Sequence, residues 1–512
     1  MGQEKPVRLE DSLVKKTVQI APNMEPVIPH PLQDKEVRKK LAALEKKFGK
    51  KPNILIFLMD DVGYGDPGCY GGGQAVGAPS PNMDKLGEEG LILTSAYAQP
   101  TCSPTRATIL TGRLPMRTGI LRPALPGEKG GLDTEITMAQ LLSKAGYVTQ
   151  GVGKWHVGED VGSQPQNKGF DDFYGFLNCS NEYTAWRDPS FYPEVATDPA
   201  RTKAVESLPN NLYLVHGVKG KKIENLVEVT IPICKKLDQM WTDYSVKFIR
   251  KMAKSDKPFL LYHCTRGCHY DNYPSEEFEG KSPARYPYKD VFCELDQHLG
   301  TLVKTLKETG QLENTLIIVT SDNGPEMETW WDSGFTPFRG AKGSTWEGGM
   351  RVPCIVYWKG MIKPGRKSDG LFDLSDIFNT SLSLAGAMNL IPKDRYIDSI
   401  DQTSFLLSDE GQSNRKAVFY WLMETFSGVR VAEYKMMLAA TYPTGDTWNK
   451  GGLSGNITIF RYAKMFNLYL DPKEEHDFFI RKLTIASFLQ QAQNWHMETF
   501  KKYPSNVKNE SL

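Results

Sequence analysis

Four short apolar segments, each followed by charged or polar residues, most restrict how this chain can fold. They are NILIFLM (53–59), VTQGVG (148–153), PFLLYH (258–263) and TLIIVT (315–320). Apolar runs of this length, separated by helical stretches, are typical of strands buried on both faces of a parallel sheet. We therefore predict an α/β domain with a large, mostly parallel sheet flanked by helices.

Residues that can take part in chemistry follow each of these predicted strands. In chain order they are Asp60 and Asp61, then Lys154, Trp155 and His156, then His269, and finally Asp322 and Asn323. Ligands of open α/β sheets bind in the crevice beyond the carboxyl ends of the strands. The sequence therefore predicts one composite site to which four strands contribute.

The acidic residues of this predicted site indicate a metal ion. Asp60, Asp61, Asp322 and Asn323 offer three carboxylates and one amide carbonyl, which are hard oxygen ligands. With no thiolate or histidine pair among them, the set suits Ca²⁺ or Mg²⁺ better than zinc. A single acidic residue after a strand often only caps the next helix. Two such clusters, each ending an apolar segment, favour the metal site.

A chain of 512 residues is too long for one ordinary core, and its pattern changes twice. We predict an N-terminal arm (1–50), a main domain carrying the composite site (51–410) and a C-terminal subdomain (411–512). The subdomain is predicted to be α+β with a small antiparallel sheet, because alternating segments occur at 416–421, 429–438 and 456–462.

The arm contains one predicted amphipathic helix, EVRKKLAALEKKFGKK (36–51). Its narrow apolar face favours a solvated surface helix over a membrane-binding one. We expect it to pack either on the main domain or on a neighbouring subunit, and the second arrangement would make the protein a homo-oligomer.

Charge and composition exclude several classes of partner. Lys and Arg number 62 against 61 Asp and Glu, so no overall field favours nucleic acid or an anionic membrane. The N-terminus lacks the apolar segment of a signal peptide, and no run approaches the roughly 18 apolar residues of a membrane helix. We expect a cytoplasmic protein, or a periplasmic or secreted one whose signal has been removed.

Cys102, the first residue of CSPTRATILTGR (102–113), allows three interpretations. It can be a buried thiol, the usual state of a free cysteine. It can be a thiolate nucleophile, because Ser103 and Pro104 have the types expected at a helix N-cap and first position, where a thiol pKa falls. However, Cys-x₃-Arg is shorter than the phosphate loop of cysteine phosphatases. The third interpretation is post-translational modification.

The segment CSPTRATILTGR resembles the maturation motif of the type I sulfatases, in which the cysteine is oxidised to formylglycine. NILIFLMDDVGYGD, GKWHVG, SDNGPE and KGSTWEGGMRVP are similar to further motifs of this family and stand in the same order, across residues 52–360. SIDQTSFLLS (399–408) and NLYLDPKEEHDF (467–478) resemble its later landmarks. The resemblance implies an alkaline-phosphatase-like fold and an arylsulfatase-like sulfuric ester hydrolase.

The resemblance also implies a role for each matched residue. Asp60, Asp61, Asp322 and Asn323, with the side chain at position 102, would hold Ca²⁺. Hydrated formylglycine made from Cys102 would be a gem-diol, one hydroxyl of which attacks sulfur. Arg106 would stabilise the diol, while Lys154 and Lys342 would bind sulfate oxygens.

Two histidines would then move protons. His269 would act as general acid at the leaving oxygen, with Lys342 as a second candidate. His156 would deprotonate the remaining hydroxyl of the sulfate hemiacetal, so that the aldehyde re-forms and sulfate leaves. Ser180 resembles the family's sulfate-contacting hydroxyl, although a plain loop serine is an alternative.

Other polar and aromatic residues have structural interpretations. We expect His263 and Trp155 to pack in the core. Trp186, Trp330 and Trp331 either line a substrate pocket or belong to the core, as large aromatic side chains usually do.

The implied partners are an aryl sulfate or sulfated carbohydrate and a formylglycine-generating maturation enzyme. A phosphonate monoester or phosphodiester hydrolase on the same framework is an alternative. Lys342 lies in the short segment RGAKGSTWEGG (339–349), close to Trp330 and Trp331. This indicates a crowded rim that favours sulfate. An inactive sulfatase-like binding protein is disfavoured, because every expected catalytic side chain is present.

Overall fold

The computed structural model describes residues 13–179, 188, 192–206, 212–442 and 452–505. In this part of the chain, a large sheet contains β1 Asn53–Met59, β2 Leu91–Tyr97, β3 Val148–Lys154, β4 Asp172–Phe176, β5 Tyr213–Val218, β6 Glu224–Glu228, β7 Phe259–Cys264, β8 Thr315–Ser321, β9 Arg351–Tyr357, β10 Arg366–Ser368 and β11 Phe372–Asp373. A small sheet contains β12 Ala417–Leu422, β13 Thr425–Val431, β14 Tyr434–Tyr442 and β15 Asn456–Asn467.

Helices connect and cover these strands. They are α1 Pro31–Phe48, α2 Pro81–Glu88, α3 Cys102–Thr111, α4 Pro115–Thr118, α5 Met138–Lys144, α6 Pro193–Thr197, α7 Pro199–Glu206, α8 Ile231–Cys234, α9 Leu237–Met252, α10 Pro287–Glu308, α11 Glu347–Met350, α12 Asp376–Leu384, α13 Thr403–Leu407 and α14 Leu483–Lys502. None of these described helices combines the length and apolar character needed to cross a bilayer.

The four predicted apolar segments form β1, β3, β7 and β8, the centre of the large sheet. These strands lie side by side in the order β8-β1-β7-β3 and are parallel to one another. Antiparallel neighbours occur only towards the two edges of the described sheet, where β9 pairs with β8 and β5 pairs with β4. The prediction of a large, mostly parallel α/β sheet is confirmed.

Burial on both faces explains why β1 is apolar throughout. Ile54, Ile56 and Leu58 pack in the core under α3, α5 and α12. Leu55, Phe57 and Met59 point the other way, into the core under α2, α9 and α10. Because successive side chains alternate between faces, two covered faces require every residue to be apolar.

The small sheet is antiparallel, with strand order β12-β13-β14-β15, as the alternating C-terminal segments predict. Helix α14 packs on it through Leu489 and His496, whose ring stacks on Phe419 at a centroid distance of 3.9 Å.

Helix α1 packs on the main domain of the same chain. Val37 and Leu44 are buried in the main core, and Gln33 Nε2 donates hydrogen bonds to Ser404 Oγ at 3.1 Å and to the Gln412 carbonyl at 2.9 Å. The helix begins five residues before the predicted segment, with Pro31 at its first position, where the missing N–H has no helical partner to lose. The homo-oligomer remains a prediction.

A buried charged cluster joins the small sheet to the large one. Lys435 of β14 lies 3.0 Å from a carboxylate oxygen of Glu347 and 2.8 Å from one of Glu474, and all three side chains are fully buried. The ammonium of Lys435 also donates to the Thr345 carbonyl at 2.8 Å. One cation thus holds two carboxylates and the chain just before α11.

We predict that Lys435→Met lowers the free energy of unfolding by about 3–5 kcal/mol, because it takes from buried Glu474 the cation that faces it and leaves Glu347 with only the more distant Arg351 and Arg430. Urea denaturation followed by circular dichroism measures the change. Lys85→Met is the matched control, because the Lys85 side chain is 70% exposed and should matter by less than about 0.5 kcal/mol. Equal midpoints for the two variants would contradict the prediction.

Candidate active site

The carboxyl ends of β1, β3, β7 and β8 bring the predicted residues to one edge of the sheet. Asp61 and His156 have positive φ angles of 58° and 59°, so the chain turns sharply just after β1 and just after β3. The Asp61 N–H donates to Asp322 Oδ1 at 3.3 Å, which joins the turns after β1 and β8. Side chains from separate strands therefore converge on one volume.

Three buried carboxylates each face one buried cation in this volume. The shortest oxygen–nitrogen distances are 2.7 Å for Asp60 and Lys154, 2.8 Å for Asp61 and Lys342, and 2.7 Å for Asp322 and Arg106. Arg106 lies one helical turn after Cys102, so both side chains leave the same face of α3. Without a ligand, three negative and three positive charges balance.

Two buried oxygens in this cluster lack a hydrogen-bond donor among the described residues. They are Asp60 Oδ1 and Asn323 Oδ1. Ligand atoms of Asp60, Asp61 and His269 also lie within 4.8 Å of one another. A buried acceptor without a donor is costly, and a hard cation would satisfy both oxygens. The residues present therefore fit Ca²⁺ or Mg²⁺.

Burial and the neighbouring charges shift the pKa values of the three carboxylates in this cluster. Burial raises the pKa of Asp61 to about 6, and burial together with the charge of Asp60 raises that of Asp322 to about 7. Burial alone would also raise the pKa of Asp60, but the charge of Lys154 holds it below its usual range. A divalent cation would favour the charged forms of Asp61 and Asp322 and so lower both pKa values.

Cys102 is the first residue of α3 and faces His156. Its Sγ lies 3.3 Å from His156 Nδ1, while His156 Nε2 lies 3.0 Å from the carbonyl oxygen of Ala124. A carbonyl can only accept, so Nε2 carries the hydrogen and Nδ1 presents its lone pair to residue 102. Burial and the charge of Lys154 lower the pKa of His156, which keeps the ring neutral.

Helix α3 begins two residues earlier than the sequence predicts. Thr101, not Ser103, is the N-cap, and its extended backbone lets its carbonyl accept from the Thr105 N–H at 3.2 Å. Cys102 is therefore the first residue of the helix, and its side chain is buried. Burial raises the pKa of its thiol to about 12, which disfavours a thiolate near neutral pH.

His269 and Lys342 lie on the other side of the cluster. His269 Nε2 is 3.8 Å from Asp61 Oδ2, and its Nδ1 is 2.8 Å from the Tyr270 carbonyl, to which it donates. Burial and the charge of Lys342 lower the pKa of His269, so its ring is neutral at rest. The segment around Lys342 is held by the Lys342 N–H, which donates to the Pro325 carbonyl at 3.0 Å.

Of the other residues named from the sequence, two are not described by the structure and the rest are not members of the charge cluster. Ser180 and Trp186 lie outside the described residues. His263 is buried in β7, stacked on Phe57, with Nδ1 2.9 Å from Ser245 Oγ.

The indole of Trp155 is also buried and donates to the Ser163 carbonyl at 3.0 Å. Trp330 and Trp331, in contrast, are exposed and do not belong to the core.

Three contributors to the site were not identified from the sequence. Ala124 offers only a backbone carbonyl, which no pattern distinguishes. Cys179 Sγ lies 3.4 Å from His269 Nε2, and its sequence position gives no hint of this contact. Glu326 is buried near Lys342, which acts on its pKa, and it was detectable as the last residue of the SDNGPE segment.

The sequence profile of the Sulfatase family matches residues 52–387, and that of the sulfatase AslA C-terminal domain matches residues 427–501. The N-acetylgalactosamine-6-sulfatase of Canis lupus familiaris is 35% identical over 401 residues, which make up 75% of this chain and 71% of that protein. Arylsulfatase A of Homo sapiens is 34% identical over 445 residues, 84% of this chain and 83% of that protein.

A solved structure extends the similarity to almost the whole chain. The PsFucS1 sulfatase from Pseudoalteromonas sp. has a TM-score of 0.90 at 43% identity, covering 96% of this chain and 99% of that chain. Together with the profile match, this likeness confirms the family and the fold that the motifs predicted. The chain belongs to the sulfatase family and is a sulfuric ester hydrolase with an alkaline-phosphatase-like fold.

Proposed function

We propose that this sulfatase hydrolyses a sulfate ester of a carbohydrate or an aryl alcohol, using Ca²⁺ and a formylglycine made from Cys102. The observation that carries the proposal is the placement of Cys102 on the first turn of α3, with the lone pair of His156 on one side and the balanced charge cluster close by. Two relatives support the substrate classes through their names, N-acetylgalactosamine-6-sulfatase and arylsulfatase A.

Asp60, Asp61, Asp322 and Asn323, with the side chain at position 102, would hold the calcium ion. When bound, the ion supplies positive charge that lowers the pKa of a nearby hydroxyl. Charge balance supports this assignment. Because Arg106, Lys154 and Lys342 already neutralise the three carboxylates, a divalent cation leaves an excess of two positive charges for an anionic substrate.

Hydrated formylglycine supplies one hydroxyl that attacks sulfur. Deprotonation of its second hydroxyl then releases the sulfate, a step that serine cannot perform because it has only one hydroxyl. A separate formylglycine-generating enzyme would have to make it. Lys154 and Lys342, whose charges act on residue 102, bind the sulfate oxygens where negative charge grows as the ester bond breaks.

Two histidines and one arginine of this chain do the remaining work. His156 Nδ1, 3.3 Å from the Cys102 sulfur, accepts the proton of the second hydroxyl. Arg106 adds fixed charge and orients Asp322 through two hydrogen bonds of 2.7 and 2.9 Å. His269 gives a proton to the leaving oxygen once the charge of the bound ester favours the imidazolium, with Lys342 as the second candidate. For Ser180, contact with the sulfate remains a proposal.

We predict that active protein carries an aldehyde at position 102. Mass spectrometry of the peptide that spans residues 102–113 should show formylglycine in place of cysteine, and the specific activity of different preparations should rise with the aldehyde fraction. Cys102→Ser should abolish multiple turnover, because serine lacks the second hydroxyl. A fully active preparation with only unmodified Cys102 would contradict this prediction and favour the thiolate nucleophile instead.

We predict that calcium and activity are lost together. Exhaustive chelation should abolish turnover, and added Ca²⁺ should restore it. Asp322→Asn should lose both bound calcium, measured by elemental analysis, and activity, because one carboxylate ligand loses its charge. Asp256→Asn, at an exposed position, is the control and should keep both. Full activity in verified metal-free protein would contradict the assignment.

We predict that sulfate esters are preferred over phosphorus esters. A phosphodiester or phosphonate monoester has the same single charge but an extra substituent, which must fit beside Lys154 and Lys342. The measurement is kcat/KM for an aryl sulfate, phosphonate and phosphodiester with one leaving group. A phosphorus ester that wins by about tenfold, equivalent to roughly 1.4 kcal/mol, would make the phosphonate or phosphodiester hydrolase the better description.

A further inference from the structure

We infer that Trp330 and Trp331 form a saccharide subsite at the rim of the active site, where they bind the sugar ring next to the sulfated one. This inference rests on the proposed function, and it narrows the substrate from any sulfate ester to a sulfated oligosaccharide.

Both indoles are unusually exposed for large apolar side chains. Trp330 is 68% and Trp331 64% exposed, and their ring centroids are 5.9 Å apart with planes at 86°. Phe335, 42% exposed, follows in the same segment. Contiguous exposed apolar surface, here the Trp330–Trp331 pair, marks interaction sites and ligand-binding grooves.

The chain on either side of the two tryptophans is held in place. Before them, Glu328 Oε1 accepts hydrogen bonds from the Ser454 N–H at 2.9 Å and from the Ser454 hydroxyl at 2.6 Å. After them, the Asp332 carboxylate accepts from the Asn272 N–H at 2.8 Å and from its amide at 3.2 Å. A segment fixed at both ends loses little conformational freedom when a ligand binds.

These two anchors tie the segment to the chain near His269 and to the chain near Lys342, both of which belong to the proposed sulfate pocket. Asn272 is three residues after His269, and its Oδ1 accepts from the Cys268 N–H at 2.9 Å. Gly452, beside the other anchor, lies so close to Glu328 and Lys342 that a Cβ there would be 2.8 Å from Glu328 Oε1 and 3.0 Å from the Lys342 carbonyl oxygen. Trp330 and Trp331 therefore belong to a segment that is tied to both of these chain regions.

The geometry of the pair suits a sugar better than a flat aryl group. A pyranose ring presents C–H groups on one face, which pack on an aromatic ring, and hydroxyls around its edge, which stay in water. Two indoles at nearly right angles offer two such faces to a chain that bends away from the sulfate pocket. We expect a small aryl sulfate to end before it reaches them.

The test compares substrates of different length on the matured, calcium-loaded protein. The probes are 4-nitrophenyl sulfate and the monosulfated mono- and trisaccharides of N-acetylgalactosamine and of galactose. We expect the double variant Trp330→Ala/Trp331→Ala to raise KM about tenfold or more for whichever trisaccharide the unsubstituted protein hydrolyses. Its kcat should be nearly unchanged. For 4-nitrophenyl sulfate and the monosaccharide, kcat/KM should stay within about twofold of the unsubstituted protein.

Controls separate a subsite from a general effect on the fold. Trp330→Phe/Trp331→Phe should recover most of the trisaccharide affinity, because an aromatic face remains. Trp495→Ala removes a partly exposed tryptophan of α14 and should change kcat/KM neither for the trisaccharide nor for 4-nitrophenyl sulfate.

Several results would overturn the subsite, among them hydrolysis of 4-nitrophenyl sulfate by the matured protein without hydrolysis of either trisaccharide. Equal losses on the trisaccharide and on 4-nitrophenyl sulfate, or no loss on either, would overturn the subsite and leave the proposed function standing. Equal KM values of the unsubstituted protein for the mono- and trisaccharide would also overturn it. If the matured protein hydrolyses none of the probes, the proposed function fails, and the subsite fails with it.

Discussion

Pairing of opposite charges out of contact with water is the constraint on which the rest of this structure depends. An isolated ion in a protein interior costs several kcal/mol, and removal of one partner of a buried pair costs nearly as much. Three carboxylates are tolerated at the ends of parallel strands only because Arg106, Lys154 and Lys342 each lie within 2.8 Å of one of them. The chain must therefore hold six side chains in fixed positions before any ligand binds.

The large sheet and α3 provide most of this rigidity. Both faces of β1 are covered, so the strand cannot shift, and the turn after it delivers Asp60 and Asp61 to the same place as Asp322. Helix α3 carries residue 102 and Arg106 on one face. The position of one group relative to another thus follows from packed elements instead of from loops.

Lys342 is the exception, because it lies in a loop. The chain after it is held by the small sheet, where Lys435 donates to the Thr345 carbonyl and the Trp346 indole donates to the Thr441 carbonyl, both at 2.8 Å. The C-terminal sheet therefore has a structural role at a site to which it contributes no predicted catalytic residue. The same loop region carries the two exposed tryptophans, so packing also holds the chain around the proposed sulfate pocket in place.

The sequence by itself determined the central strands and the residues at their ends. A strand buried on both faces must be apolar throughout, so 53–59 and 315–320 could be recognised, and the acidic residues that follow them had to meet at one sheet edge. Only the tertiary structure decided the partners of those residues. The contacts of His156 with the Ala124 carbonyl and of His269 with Cys179 join positions 32 and 90 residues apart. Such contacts depend on how loops pack, and loop packing leaves no periodic trace in a single sequence.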